Sequence, residues 1–166
     1  MAEARWSGEQ RCISLRVNGR SHEVEVPVHA TLATVLRDGM GLTGTKIACD
    51  QAACGACTVL LDGHSIFSCH LLAAQAHGRS VETVEGLADG DALHPLQAAF
   101  VEHDALQCGF CTPGMLMAIV AALRAHGTLD RTQLVAAISG NLCRCGAYPH
   151  IVEAVLSVMS GARDLT

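Results

Sequence analysis

Lys46-Ile47-Ala48-Cys49-Asp50-Gln51-Ala52-Ala53-Cys54-Gly55-Ala56-Cys57-Thr58 is the stretch on which the reading of this chain turns. With a fourth cysteine further on, it gives the series Cys49-x4-Cys54-x2-Cys57-x11-Cys69. A C-x4-C-x2-C run with a distant fourth cysteine is the plant-type [2Fe-2S] spacing. Three thiolates from one tight loop wrap such a cluster and aim backbone N–H groups at its sulfurs. Ala52, Ala53, Gly55 and Ala56 are small enough to let the backbone come close. A fully ligated oxidised cluster carries about −2, summed over two ferric ions, two sulfides and four thiolates, so N–H donors have to stabilise it.

Four thiolates also suit structural zinc, but zinc sites pair C-x2-C knuckles, and an x4 gap filled with small residues suits a core larger than one ion. A Rieske centre needs two histidine ligands beside two cysteines, and the chain has no Cys-x-His pair. Nine cysteines, an odd number, with no export signal read in residues 1–10, speak against a disulfide framework. That N-terminal stretch carries acidic residues, no apolar run and no twin arginine, and places the chain in the cytoplasm.

Outward from the loop, Ile13, Leu15 and Val17 alternate with polar residues, Asn18-Gly19 signals a turn, and Val24 and Val26 alternate again, which predicts a β-hairpin. Thr31 is placed to cap a short helix bearing Leu32, Val35 and Leu36. Strands at residues 58–61 and 64–67 flank a turn at Asp62-Gly63, and a further strand is expected over residues 80–84. Beyond Gly86 the pattern turns helical. Leu93, Leu96, Gln97 and Phe100 fit one helix, and Thr112-Pro113 reads as an N-cap followed by proline, opening a second with Met115, Leu116, Ile119, Val120 and Leu123. Asp130 caps a third, with Leu134, Val135 and Ile138, and Ile151, Val155, Leu156 and Met159 mark a fourth. Residues 85–91, rich in glycine and acidic side chains, mark a boundary between one domain over 10–86 and another over 87–160.

The helical half carries a second set, Cys108-x2-Cys111 and, after 31 residues, Cys143-x-Cys145. By spacing alone this set suits zinc as well as iron and sulfide. Its placement at helix ends, with the Cys111 thiolate near a positive helix dipole, would let two loops supply four ligands.

Gln107-Cys108-Gly109-Phe110-Cys111-Thr112-Pro113-Gly114 and Gly140-Asn141-Leu142-Cys143-Arg144-Cys145-Gly146-Ala147-Tyr148, downstream of Cys54-Gly55-Ala56-Cys57-Thr58, resemble the signatures of one family. It is the small iron–sulfur subunit of molybdenum hydroxylases, such as xanthine dehydrogenases, aldehyde oxidoreductases and carbon monoxide dehydrogenase. The resemblance spans residues 13–158. It implies an α+β chain: a plant-ferredoxin-like β-grasp domain, then a four-helix domain, each holding one [2Fe-2S] cluster. It also implies electron transfer from the molybdopterin centre of a large partner subunit, through the helical-domain cluster and then the ferredoxin-type cluster, to an FAD subunit or a cytochrome. By the same resemblance Gln107 hydrogen-bonds the pterin, and Cys145, a cluster ligand, lies against it where electrons enter. No substrate-binding catalytic site is expected on this chain alone. The family has glycine before the first ligand where this chain has Ala48, whose methyl is expected to crowd the loop or shift the cluster's hydrogen bonds.

Composition narrows the remaining classes. Half of the 166 residues are apolar, enough for packed cores, while 3% aromatics, 11 Lys and Arg, and a net charge of −5 give nucleic acid no footprint. No apolar run reaches the roughly 20 residues of a membrane span. Cys12 falls on the polar phase of the first strand and takes no ligand role. The nine histidines form no i, i+4 pair and read as solvated or packing residues. The Met115 and Met117 pair reads as helix packing, and Arg144, between two ligands, as a compensating charge for the cluster, a partner contact or a solvated arginine. Two rivals stand beside the electron-relay subunit: a free-standing two-cluster ferredoxin, disfavoured by the sparsely charged helical half, and a zinc scaffold, which would be colourless.

Overall fold

The computed structural model describes residues 8–161. Residues 1–7, and with them most of the stretch read above for a leader, lie outside the described residues. Strands β1 (Gln10–Val17) and β2 (Arg20–Pro27) pair antiparallel with Ile13 opposite Val24. Asn18 and Gly19 join them with φ of 48° and 78°. Two left-handed residues in a two-residue loop match the right-handed twist of the strands. The same device at Asp62 and Gly63, φ 49° and 81°, joins β3 (Thr58–Leu61) to β4 (His64–Phe67).

Strand β5 (Ser80–Glu82) completes a five-stranded sheet of order β2-β1-β5-β3-β4, parallel to β1 and antiparallel to β3. It is shorter than the expected 80–84. Thr83 leaves the ladder because the Asn18 side chain binds it twice, accepting its N–H at 2.9 Å and donating to its Oγ1 at 2.9 Å. The chain then coils into a 3₁₀ turn at Val84–Gly86. Thr31 caps α1 (Leu32–Thr34), its Oγ1 accepting the Thr34 N–H, and the helix widens into a π turn over Val35–Gly39. Leu32, Val35 and Leu36 pack against Ile13, Leu15, Val17 and Val59 in the sheet core.

Four helices follow: α2 (Pro95–Glu102), α3 (Thr112–His126), α4 (Arg131–Ile138) and α5 (Tyr148–Ser160). Leu93 falls outside α2 and is exposed. The start is fixed two residues later by His94, whose Nδ1 accepts the Leu96 N–H at 3.2 Å while Gln97 Oε1 accepts the His94 N–H at 2.9 Å. Asp130 caps α4 as the sequence suggests, through Gln133 N–H at 2.8 Å. Helix α3 lies at the centre, with Met115, Leu116, Met117, Ile119, Val120 and Leu123 all buried.

The two layers meet at β3. Its four residues are all buried because Val59 and Leu61 enter the sheet core while Leu60 enters the helical core beside α3. Burying a leucine is worth about 1.5–3 kcal/mol, so Leu60 ties the strand to the helices at a site where either layer alone would leave it wet. Among the described residues no helix is long and apolar enough to cross a membrane.

Candidate metal centres

The loop at residues 49–57 reaches β3 through Asp50, Ala52 and Gly55, all left-handed, at φ 55°, 55° and 72°. Asparagine or aspartate tolerates this region, but alanine there is uncommon and costs energy that the surroundings must offset. Such alternation turns successive N–H groups to one side, as in anion-binding nests. The result is visible at Cys49, where Ala53 N–H points at Sγ from 3.4 Å. The N–H of Gln51 is the largest cause, with those of Ala53 and Cys54 and the Cys54 thiol helping, that brings the Cys49 thiol down from 9.0 to about 7. Cys57 behaves oppositely: burial pushes it up to about 12. Cys69, also buried, sits on the 3₁₀ turn Ser68–His70 after β4, and Ser68 Oγ donates to the Cys57 carbonyl at 2.6 Å. Cys54 thus lies beside Cys49, and Cys69 beside Cys57.

The second set gathers from two loops. Cys108 and Cys111 lie between α2 and α3, and Cys143 and Cys145 between α4 and α5. Here too the thiols stand in pairs, Cys108 beside Cys145 and Cys111 beside Cys143. The N–H of Phe110, with the Cys145 thiol, lowers Cys108. At Cys143 burial works upward, yet the N–H of Ala147, 3.4 Å from Sγ, joined by the Cys111 thiol and the N–H groups of Cys145 and Gly146, brings it below its ordinary value. Cys145 is held down by the Cys108 N–H but raised on balance by the Cys108 thiol and burial. Cys111, at the N-cap of α3, departs from the helix-dipole expectation: burial pushes its thiol up to about 12. Desolvation of a half-buried thiolate outweighs the partial charge of one helix end. Thr112 is the first residue of the helix and no side chain caps it.

The two sets meet. Asn141, buried, donates from Nδ2 to the Gly55 carbonyl at 2.8 Å and to Thr58 Oγ1 at 3.1 Å. The next N–H, of Leu142, donates to the Cys54 carbonyl at 2.8 Å. Tyr148 closes the turn, its hydroxyl accepting the Cys143 N–H at 2.7 Å and donating to the Asn141 carbonyl at 3.2 Å. No side chain fits between the two loops: a Cβ on Gly55 would stand 2.5 Å from the Gly140 carbonyl oxygen, and one on Gly114 at the start of α3 would run into the Gly55 carbonyl oxygen. A cleft of about 360 Å³ opens at this seam, lined among others by Cys54, Cys108, Cys111 and Cys143, with Phe110, Leu142 and Arg144 on its wall.

This arrangement fits iron–sulfur clusters. In each set the thiols lie close enough to act on one another, and backbone N–H groups point at Cys49 and Cys143 sulfur, which suits a negatively charged cluster. Thr112 Oγ1 is the one buried side-chain N or O without a partner among the described residues, directly after Cys111. An orphaned hydroxyl costs about 1–3 kcal/mol, and sulfur of a bound cluster is a ready acceptor for it. Ala48 is exposed at the edge of the cleft and has no left-handed φ, so the backbone conformation alone does not require glycine there. Gln107 is exposed beside Cys108, and Cys12 is exposed on β1.

Comparison with known proteins bears on both halves. A family model described as "2Fe-2S iron-sulfur cluster binding domain" matches residues 15–88, and one described as "[2Fe-2S] binding domain" matches 83–156. The chain is 53% identical over 144 residues to the nicotine 6-hydroxylase small subunit of Paenarthrobacter nicotinovorans, covering 87% of each. It belongs to the small [2Fe-2S] subunits of the molybdenum hydroxylases. Other similar members of this family include the caffeine dehydrogenase subunit gamma of Pseudomonas sp. (strain CBB1), 48% identical over 88% of this chain and 89% of that one. Among solved structures, quinoline 2-oxidoreductase from Pseudomonas putida 86 superposes with a TM-score of 0.89 at 45% identity, over 94% of this chain and 98% of that chain. Aldehyde oxidoreductase from Desulfovibrio gigas gives 0.86 at 35% identity, with 94% of this chain matching 18% of that one. As an iron–sulfur subunit of this family, the chain serves electron transfer within an oxidoreductase complex that has a large catalytic subunit.

Proposed function

We propose that Cys49, Cys54, Cys57 and Cys69 hold one [2Fe-2S] cluster and Cys108, Cys111, Cys143 and Cys145 the other, on domains dividing near residues 86 and 87. Each cluster, when bound, takes up and releases one electron at a time. The observation that carries the reading is the Leu142 N–H to Cys54 carbonyl hydrogen bond of 2.8 Å, which puts the backbone beside Cys143 in direct contact with a ligand residue of the other set. This contact joins cysteine sets that are far apart in sequence, as a shared task would require.

The direction of transfer is taken from the family resemblance, and the exposure of the ligands supports it. Cys108 and Cys145 are exposed, whereas Cys57 and Cys69 are buried. Around the open pair stand Leu106, Phe110 and Leu142, exposed by 38%, 45% and 58%. Bulky apolar side chains around open ligands suit a permanent partner more than a diffusible carrier, which docks through charge. The large molybdopterin subunit fits this face, with Gln107 and Cys145 against the pterin, and electrons leave from the loop at residues 49–57 toward an FAD subunit or a cytochrome. The chain's own groups keep the sites competent: N–H donors around Cys49 and Cys143 stabilise negative sulfur, and the apolar rim excludes water once covered. We place the assembly in the cytoplasm, where cysteines spaced as metal ligands are expected more often than a disulfide framework.

Native mass and cofactor analysis of the protein purified from its own cells test this. A heteromeric complex containing molybdopterin is expected. A stable monomer carrying iron but no molybdopterin would favour the free-standing ferredoxin instead.

A further inference from the structure

Asn141 stands at the seam with a connection to each cysteine set. Its residue is 4% exposed, and its amide nitrogen has two acceptors on the first loop, the Gly55 carbonyl at 2.8 Å and Thr58 Oγ1 at 3.1 Å. The Thr58 hydroxyl in turn donates to the same Gly55 carbonyl at 2.6 Å, which closes a triangle of hydrogen bonds beside Cys54. On the other side the Asn141 N–H donates to the Ile138 carbonyl at 2.9 Å, at the end of α4, and the Asn141 carbonyl accepts the Tyr148 hydroxyl that also holds the Cys143 N–H. One side chain therefore locks the loop before Cys143 to the loop after Cys54, across 86 positions of sequence.

We infer that Asn141 is a positioning residue that fixes the separation of the two metal centres, and through it the rate at which electrons cross between them. The inference rests on the proposal that both cysteine sets hold clusters. A buried amide with two acceptors in one geometry is held rigidly, and an apolar residue of similar size would fill the space while leaving the Gly55 carbonyl without this donor. The Leu142 N–H to Cys54 carbonyl contact is the neighbouring bond most exposed to such loosening. Electron transfer falls steeply with distance, whereas the ligand sets themselves do not include Asn141. A change here is thus expected at the relation between the centres and not at either centre.

Asn141→Leu in the assembled complex separates these effects. In the fully reduced state, two paramagnetic centres split each other's EPR lines with a strength that falls as the inverse cube of their distance. The expected result is wild-type iron content and the two individual signals at their own g values, with the mutual splitting measurably reduced and a longer lag between reduction of one centre and the other. Both signals present with unchanged splitting and unchanged lag would overturn the inference. Where Asn141→Leu does not assemble, Tyr148→Phe keeps the ring and frees both the Asn141 carbonyl and the Cys143 N–H, so its helical-domain signal is checked for an unchanged g value before the splitting is read. Partial loss of splitting is expected from it, and wild-type splitting would again overturn the inference. Absence of a second iron signal from the unaltered protein would instead defeat the two-cluster proposal, so the failures are distinguishable.

Discussion

The loop at residues 49–57 and the two loops around Cys108–Cys111 and Cys143–Cys145 bring four thiols together by different means. In the first, three cysteines sit within nine residues, the backbone winds left-handed three times to present its N–H groups, and the pair nearest the sheet is buried. In the second, two helix-end loops far apart in sequence are drawn together by packing around α3, and Cys108 and Cys145 stay exposed. One site is made by local chain geometry and buries only its sheet-side pair, Cys57 and Cys69. The other is made by tertiary packing and left open for a partner to close.

The sharpest way to break this contrast is Cys145→Ala. The account expects loss of the substrate-side cluster and of turnover by the complex, while the ferredoxin-type EPR signal survives. Unchanged turnover would refute the proposed route. Next comes Gly114→Ala, at the joint on which the second site depends. Helix propensity favours alanine by about 1 kcal/mol. The added methyl, however, meets backbone oxygen at 2.3 Å, and overpacking typically costs about 1–3 kcal/mol, so the clash outweighs the propensity. A lower urea midpoint with poorer iron retention in the helical half is expected, and a neutral result would show that the start of α3 does not need to touch the loop at Gly55.

Thr112→Val removes only the orphaned hydroxyl beside Cys111. A lost donor to reduced, more negative sulfur should lower the midpoint potential of the helical-domain cluster and leave the other unmoved, with Thr112→Ser restoring it. Equal potentials in all three proteins would remove this hydroxyl from the site. The smallest effect is expected at His94, whose pKa is lowered by burial first and by nearby Arg124 second. Its Nδ1 accepts the Leu96 N–H, so the ring must be neutral to cap α2. Because the folded-state value lies below the unfolded one of about 6.5, the stabilisation is whole above that pH and is lost as pH falls through the folded value. Urea midpoints should therefore drop less between about pH 7.5 and 5.5 in His94→Asn, a cap that does not titrate there, than in the unaltered chain.

The same contrast explains what was legible in the sequence. Asn18-Gly19, Asp62-Gly63, Thr31 and Asp130 announce turns and caps because each acts on neighbours within a few residues. The plant-type spacing is likewise a property of one loop. By contrast, nothing local marks Asn141 or Tyr148 as the residues that join the two sets, since their partners are fixed only when the helices pack on β3. Thr112 reads as a cap because Thr-Pro is a common helix opening, yet Cys111 takes that place and the hydroxyl is buried unbonded. The Cys111 thiol shows the same limit, for a dipole argument from sequence cannot see the burial that overrides it. Ala48 stands where the family has glycine, and its ordinary backbone conformation means that any need for glycine there lies in the approach to the cluster and not in the chain's own φ.

The central claim is that both cysteine sets are iron–sulfur sites of unlike surroundings on one electron-transfer chain. Metal analysis joined to EPR of the dithionite-reduced complex tests it most directly. The account predicts two iron ions and two sulfides for each cysteine set, no stoichiometric zinc, and two reduced signals that differ in g values and relaxation. Zinc in the helical set, or a single iron–sulfur signal from an intact complex, would contradict it.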